Sequence, residues 1–316
     1  MKKRILNTIG KAFDPKAKEI LDKAGKVDYK IPSQKQLLKI IGDYDYVLCG
    51  LGLNFDKEVL SKAKKLKAIA TATTGLDHID MKFAEEKGIK ILSLRGENEF
   101  LDTITGTAEL ALGLMITLAR NMHTAYPAVL NGEWDREKFK GHSLYGQTLG
   151  IVGLGRLGKM MARYGKALGK RVIFYDPKID HNHTFDYKKV DFDELLKESD
   201  YISIHVHLTP ETEYMFNKDS ISKMKPSAYI INTSRGKIVH EKDIIDAIKK
   251  KKIAGYATDV LDGELVFINN DCSEHIIVKH AKTNPNILIV PHIGGMTHES
   301  RRDTDVFIAK KLSNMI

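Results

Sequence analysis

Cysteine is nearly absent from this 316-residue chain: it has two, Cys49 and Cys272, far from the close spacing of a zinc site or a redox pair. They read as reduced structural thiols, and no metal is expected. No run approaches 18 uninterrupted apolar residues, the length that marks a membrane span. The opening Met1–Asn7 runs into Gly10, Lys11 and Asp14 without the apolar core of a signal peptide. A soluble, cytoplasmic protein with no membrane partner is the expectation. Tracts rich in Pro, Gly and Ser are also lacking, so no disordered segment is predicted. What is present is ordinary for a globular protein, 42% hydrophobic and 29% charged, in a chain long enough for two domains with a core each.

A net charge of +9 raises nucleic acid as a partner. The lysines, however, are scattered along helical segments, as at Lys62, Lys64, Lys65 and Lys67, rather than gathered beside aromatics. They read as a solvated face, some of whose excess charge could steer anionic ligands.

Short β-rich runs alternate with helical ones. Arg4–Ile9, Tyr46–Gly50, Lys67–Ala72 and Lys90–Leu94 read as strands; Asp56–Leu66 and Ile79–Lys87, the latter stopped by Gly88, read as helices. That alternation predicts a parallel sheet wrapped by helices. Thr107–Arg120 is apolar nearly all round and predicts a buried helix packed between domains. After a polar stretch holding Trp134, a second alternation predicts strands at Thr148–Val152, Arg171–Tyr175, Tyr201–Val206, Ala228–Asn232, Gly255–Asp259 and Ile287–Val290. Gly294–Ile316 has helical periodicity and is placed back on the first domain. The expected domains are therefore residues 1–98 with 294–316, and residues 99–293.

The strand ending at Val152 runs into Gly153, Gly155 and Gly158, followed by a helix striped with Leu157, Met160, Met161, Tyr164 and Leu168. Between a strand and a helix, glycines at this spacing permit a tight turn and close backbone approach to a pyrophosphate, while the helix N-terminus offers free amides to the phosphates. The next strand ends at Asp176, 18 residues after Gly158, near the interval at which an acid accepts the ribose hydroxyls. Its charge favours NAD over NADP, with Lys178 nearby.

Three later strands end in chemically complementary residues: Asn232–Gly236 carries Arg235, Asp259–Glu264 carries Glu264, and Pro291–Gly295 carries His292. The carboxyl edge of an open parallel sheet forms the ligand crevice, so the three can converge. Singly, each also has a structural reading, as a strand-end cation, a loop charge or a hydrogen-bonded histidine. Together, at one sheet edge, the three are chemically complementary and can converge on one substrate.

These segments, with Thr73–Asp80, Thr107–Glu109, Gly153–Gly158 and His205–Thr212, resemble those of the D-isomer-specific 2-hydroxyacid dehydrogenases over essentially the whole chain. The resemblance implies an α/β protein of two Rossmann-like domains, a flavodoxin-like substrate domain and an NAD-binding doubly wound parallel sheet, with a cleft between them. It implies that His292 is the acid/base, Glu264 tunes it, and Arg235 bridges the substrate carboxylate and carbonyl. Thr73, Thr74 and Gly75 would bind the substrate carboxylate, together with Arg235 and His292. The implied cofactor contacts are Thr107, Gly153, Gly155, Arg156, Leu157, Gly158, Asp176, His205, His207, Thr212, Thr233, Ser234, Arg235, Asp259, His292, Gly294 and Gly295, with Asp259 facing the nicotinamide. A homodimer joined through Thr107–Arg120 and the arm Asn121–Gly141 is also implied.

The expected activity is hydride transfer between NAD(H) and a small D-2-hydroxy acid or its 2-keto acid. The alternative is an NAD-sensing, corepressor-like binding protein on the same fold. Cys49–Asn54 lacks the arginine typical of phosphoglycerate dehydrogenases, which weakens a phosphorylated substrate unless Arg95 compensates. Leu265 replaces a customary proline, Val266–Asn286 reads as an unusually polar loop, and His207 replaces another proline.

Overall fold

The computed structural model describes residues 3–180, 186–264, 267 and 271–316. The chain divides into two compact units, residues 1–104 with 296–316, and residues 105–295, a few residues from the boundaries expected near 98 and 294.

The first unit contains strands β1 (Arg4–Asn7), β2 (Lys26–Tyr29), β3 (Tyr46–Cys49), β4 (Ala68–Thr71) and β5 (Lys90–Leu92). Its helices are α1 (Pro15–Ala24), α2 (Gln34–Ile40), α3 (Lys57–Lys62), α4 (Met81–Glu86) and α5 (Asn98–Leu101). The strands pair in parallel in the order β2-β1-β3-β4-β5, the flavodoxin-like order. Side chains alternate across the sheet, so each face is covered separately. Leu6, Val47 and Ile69 pack with α2, α3 and α4, while Ile5, Tyr46, Leu48, Ala68 and Ala70 pack with α1 and the C-terminal helix. Asp14 opens α1 by accepting the amides of Lys16 and Ala17, with Pro15 at its first position.

The second unit begins with α6 (Gly106–Ala119) and α7 (Met122–Leu130). The strands β6 (Thr148–Val152), β7 (Arg171–Tyr175), β8 (Lys188–Lys189), β9 (Tyr201–Ile204), β10 (Tyr229–Asn232), β11 (Gly255–Thr258) and β12 (Ile287–Ile289) follow. They are joined by α8 (Arg156–Ala167), α9 (Phe192–Glu198), α10 (Lys218–Ser222), α11 (Glu241–Lys249) and α12 (Ile276–Ala281). The parallel order is β12-β11-β10-β9-β6-β7-β8. Succession reverses between β6 and β9, the switch point at which such sheets bind dinucleotides. The last helix, α13 (His298–Ser313), returns to the first unit. There the buried Asp305 of α13 accepts the Asp14 amide at 3.2 Å.

Asn98–Ala119 is the one segment among the described residues long and apolar enough to cross a membrane. Its Ala111, Leu114, Met115, Leu118 and Ala119 are instead buried with Leu149, Ile151, Ile231 and Ala257 of the seven-stranded sheet. The interval Val266–Asn286, read as a loop, contains α12; Leu265 and Val266 lie outside the described residues. The arm Asn121–Gly141 holds α7, whose Tyr126 and Leu130 are each 68% exposed.

Candidate active site

The turn after β6 is built for close approach. Gly153 has φ +89°, and a Cβ there would lie 2.8 Å from the His205 carbonyl oxygen; a Cβ on Gly158 would lie 2.0 Å from the Gly153 oxygen. Side chains at either position would split the turn from β9 or from α8. Gly155, by contrast, has nothing within 4 Å of its Cβ direction. It is the N-cap of α8, and no side chain caps that helix. Open space over uncapped amides at the positive end of a helix suits a pyrophosphate. Asp176 closes the turn, accepting the Leu154 amide at 2.9 Å on one carboxylate oxygen and the Lys178 amide at 2.9 Å on the other. Arg156 and Leu157 open α8.

At the end of β9, burial holds the His205 imidazole neutral, its pKa down to about 4, with Nε2 2.8 Å from the Ser203 hydroxyl. His207 and Thr212 share a tight loop in which the Thr212 hydroxyl donates to the His207 carbonyl. Thr233, at the end of β10, is buried, and its hydroxyl has no partner among the described residues. A donor and acceptor is thus left over at the mouth of the sheet. Open amides, an accepting acid and this hydroxyl fit the expected NAD.

Hydrogen bonding sets Asn232, Thr258 and Ile289 side by side on β10, β11 and β12, about 4.8 Å apart from strand to strand. The loops beyond them carry the candidate catalytic groups. Asn232 shapes the first loop, accepting the Ser234 amide and donating to the Arg235 carbonyl, while the Ser234 hydroxyl ties back to Ile204. The Arg235 guanidinium donates to the Ser234 carbonyl at 2.8 Å.

His292 has φ +52°, a left-handed conformation costly for a non-glycine residue and held only where its surroundings enforce it. Asp259 provides that restraint: its two carboxylate oxygens accept the amides of Ile293 at 2.6 Å and Gly294 at 2.8 Å. Gly294 has no room for a side chain, since a Cβ would lie 2.9 Å from Asp259 and 3.2 Å from Thr107. Burial raises the Asp259 pKa against those amide bonds. Its carboxylate, expected to face the cofactor ring, is thus committed to the loop that carries His292.

Held this way, His292 places Nδ1 2.7 Å from Glu264 Oε1. Burial opposes a charge on the imidazole, but the Glu264 hydrogen bond and charge outweigh it and the pKa is raised above 6.5. A carboxylate only accepts, so Nδ1 carries a proton and Nε2 is the ring nitrogen that Glu264 leaves unengaged. Arg235, Glu264, His292 and the glycine turn all lie in the second unit; Thr73, Thr74 and Gly75 lie in the first, at the end of β4, where the Thr73 hydroxyl donates to the Gly75 carbonyl at 2.7 Å.

The sequence pattern does not show a second cluster, in which the buried Glu241, at the first position of α11, meets the partly buried His275 and Asp262, and Asp262 meets Tyr214. A glutamate on the helix that follows the Arg235 loop was the available signal. Glutamate is common in a first helical turn, however, and nothing in the pattern predicted its burial.

Residues 112–294 match the family model "D-isomer specific 2-hydroxyacid dehydrogenase, NAD binding domain". A D-3-phosphoglycerate dehydrogenase of Methanocaldococcus jannaschii is 34% identical over 307 residues, 94% of this chain; the alignment spans 55%, about half, of that longer relative. A glyoxylate reductase of Thermococcus litoralis is 36% identical over 296 residues, 90% of this chain and 84% of the relative. Among solved structures, a D-lactate dehydrogenase of Aquifex aeolicus complexed with NAD and lactic acid superposes with a TM-score of 0.86 at 28% identity, covering 99% of this chain and 95% of that one.

Proposed function

We propose a reaction for this chain, which belongs to the D-isomer specific 2-hydroxyacid dehydrogenase family: NADH-dependent reduction of a small, unphosphorylated 2-keto acid to its D-2-hydroxy acid, and the reverse. The observation that carries it is the His292–Glu264 pair at 2.7 Å, on the same sheet edge as Arg235 and the glycine turn. NADH, when bound, supplies the hydride. The protein's own part is to hold the substrate carboxylate and carbonyl by Arg235 and to move a proton between His292 Nε2 and the substrate oxygen as charge develops there. Glu264 keeps the imidazole oriented and supports its charged form. Residues 105–295 are read as the cofactor unit and the remainder, with Thr73–Gly75 binding carboxylate, as the substrate unit.

Absence of a phosphate on the substrate is supported by the residues that follow β3, Gly50, Leu51, Gly52 and Leu53, which bring no cation. Following NADH absorbance across a panel of keto acids tests the proposal. Glyoxylate or hydroxypyruvate is expected to exceed phosphohydroxypyruvate in kcat/KM at least about tenfold. NADH should be preferred to NADPH, a preference that Asp176→Ala erodes by raising KM for NADH about tenfold or more. Tight NADH binding without turnover on any acid would favour a sensor instead.

A homodimer is also proposed. Tyr126 and Leu130 of α7 and Trp134 of the arm after it, the last 89% exposed, are large apolar side chains left in solvent, material that a subunit contact would cover. The mass in solution should be that of two chains, and Leu130→Glu with Trp134→Glu should halve it.

A further inference from the structure

Glu241 is 6% exposed and meets no lysine or arginine among the described residues. A buried carboxylate without such a partner is costly and calls for a reason. Its hydrogen bonds supply one. Oε1 accepts the Asp262 amide at 3.1 Å; Oε2 lies 3.4 Å from His275 Nε2, which in turn lies 2.9 Å from the Asp262 carbonyl oxygen. A carbonyl only accepts, so His275 Nε2 carries the proton and donates it. Both backbone polar groups of Asp262 thus end on Glu241 and His275, and the Asp262 carboxylate accepts the Tyr214 hydroxyl at 2.7 Å.

Asp262 belongs to the turn that carries Glu264. Within it the Leu261 amide donates to Glu264 Oε2 at 3.1 Å, while Oε1 meets His292. On its other side the turn presses on Gly236, where a Cβ would lie 2.2 Å from the Asp262 nitrogen. His292 stands on a different loop, fixed separately by Asp259. The meeting of Glu264 with His292 therefore depends on two clamps, one at Asp259 for His292 and one at Asp262 for Glu264.

We propose that Glu241, with His275, is a positioning residue for hydride transfer: the pair grips the backbone of Asp262 and thereby sets where Glu264 meets the His292 imidazole. This rests on the reading of His292 and Glu264 given above. Among the described residues, the charged and titratable groups around Glu241 are His275, Asp262, Glu264, Tyr256 and Tyr214. Burial lifts the Glu241 pKa to about 7 against the Asp262 bond and the His275 charge. Either protonation state leaves a lone pair for the Asp262 amide, so the grip persists through that titration.

The test is steady-state keto acid reduction by the full chain from about pH 5 to about pH 9. Glu241→Ala should lower kcat about tenfold with KM for NADH within about twofold. It should also move the high-pH fall in rate to lower pH, because a displaced Glu264 no longer supports the imidazolium. Glu241→Gln keeps an acceptor for Asp262 and should keep at least about half of kcat and the original profile. His275→Ala, at a less buried position, removes the donor to the Asp262 carbonyl and should lower kcat about threefold; if Glu241→Ala does not fold, unchanged kcat and profile in His275→Ala refute the proposal. Wild-type behaviour in Glu241→Ala beside impaired His292→Gln and Glu264→Gln also refutes it and leaves the acid/base reading standing. Equal loss in Glu241→Gln and Glu241→Ala refutes it as well. Full turnover in His292→Gln would instead remove the acid/base reading.

Discussion

Replacing His292 with glutamine is expected to lower kcat for 2-keto acid reduction by about three orders of magnitude, with NADH binding changed by no more than a few fold. Glutamine is close to histidine in reach and can still bond Glu264, but it cannot transfer a proton. The product oxygen would then have to take its proton from water. Reduction needs the imidazolium, so the wild-type rate should be highest at low pH and fall as pH rises through the His292 pKa, which Glu264 holds above 6.5 against burial. Oxidation of the hydroxy acid needs the neutral ring and should rise over the same interval. Folding stability follows the same sign. A histidine with a raised folded pKa contributes fully below its unfolded value of about 6.5, and the contribution is lost as pH rises through the folded value. Paired pH profiles of kcat in both directions, with melting curves of wild type and His292→Gln, check all three; a His292→Gln profile that kept the wild-type inflection would assign it elsewhere.

Gly236→Ala should be nearly as damaging, for a steric reason. Its φ is not in the left-handed region, so conformation would tolerate alanine and space would not. The added Cβ would lie 2.1 Å from the Leu261 carbonyl carbon, 2.2 Å from the Asp262 nitrogen and 2.4 Å from the Leu261 oxygen. All three atoms are backbone, and no rotamer change can relieve the contact. Forcing the turn away should cost about 1–3 kcal/mol of stability and lower kcat at least about a hundredfold by parting Glu264 from His292. Gly155→Ala is the contrast: with nothing within 4 Å it should leave the melting temperature unchanged and raise KM for NADH, because the methyl stands where backbone must meet the pyrophosphate. Equal stability of the two variants would contradict the packing described for Gly236.

Where a residue pattern had one physical cause, it was legible in sequence. Thr148–Val152 and Arg171–Tyr175 run between unambiguous turns and span β6 and β7 as read. The bounds of α6 fall one residue from the apolar run that predicted it. Missed elements lacked a hydrophobic signature or had a weak one. Lys26–Tyr29 is a partly exposed edge strand paired only with β1, and Lys188–Lys189 has two residues at the opposite edge of the other sheet. Helix α2 had a readable start, the reciprocal Ser33–Gln36 capping box, which went unread among the surrounding lysines. At the site, the meeting of Glu264 and His292 was readable because strand ends in a parallel sheet share an edge. The commitment of Asp259 to the Ile293 and Gly294 amides was not, because it depends on the left-handed turn at His292, which no local pattern announces. Glu241 was hidden for a related reason: its burial comes from the Asp262 turn and from His275, residues distant in the chain.

The return of α13 to the five-stranded sheet has a consequence for biosynthesis. Ile308, Ala309 and Leu312 have no exposure and complete the face formed by Ile5, Tyr46, Leu48, Ala68 and Ala70. During translation those strands emerge before the seven-stranded sheet, and α13 emerges after every strand of it. At ordinary elongation rates the delay is on the order of ten to fifty seconds. Until α13 arrives, that face of the sheet has α1 alone as a helical cover, and apolar surface left open in a partly made chain is prone to aggregation.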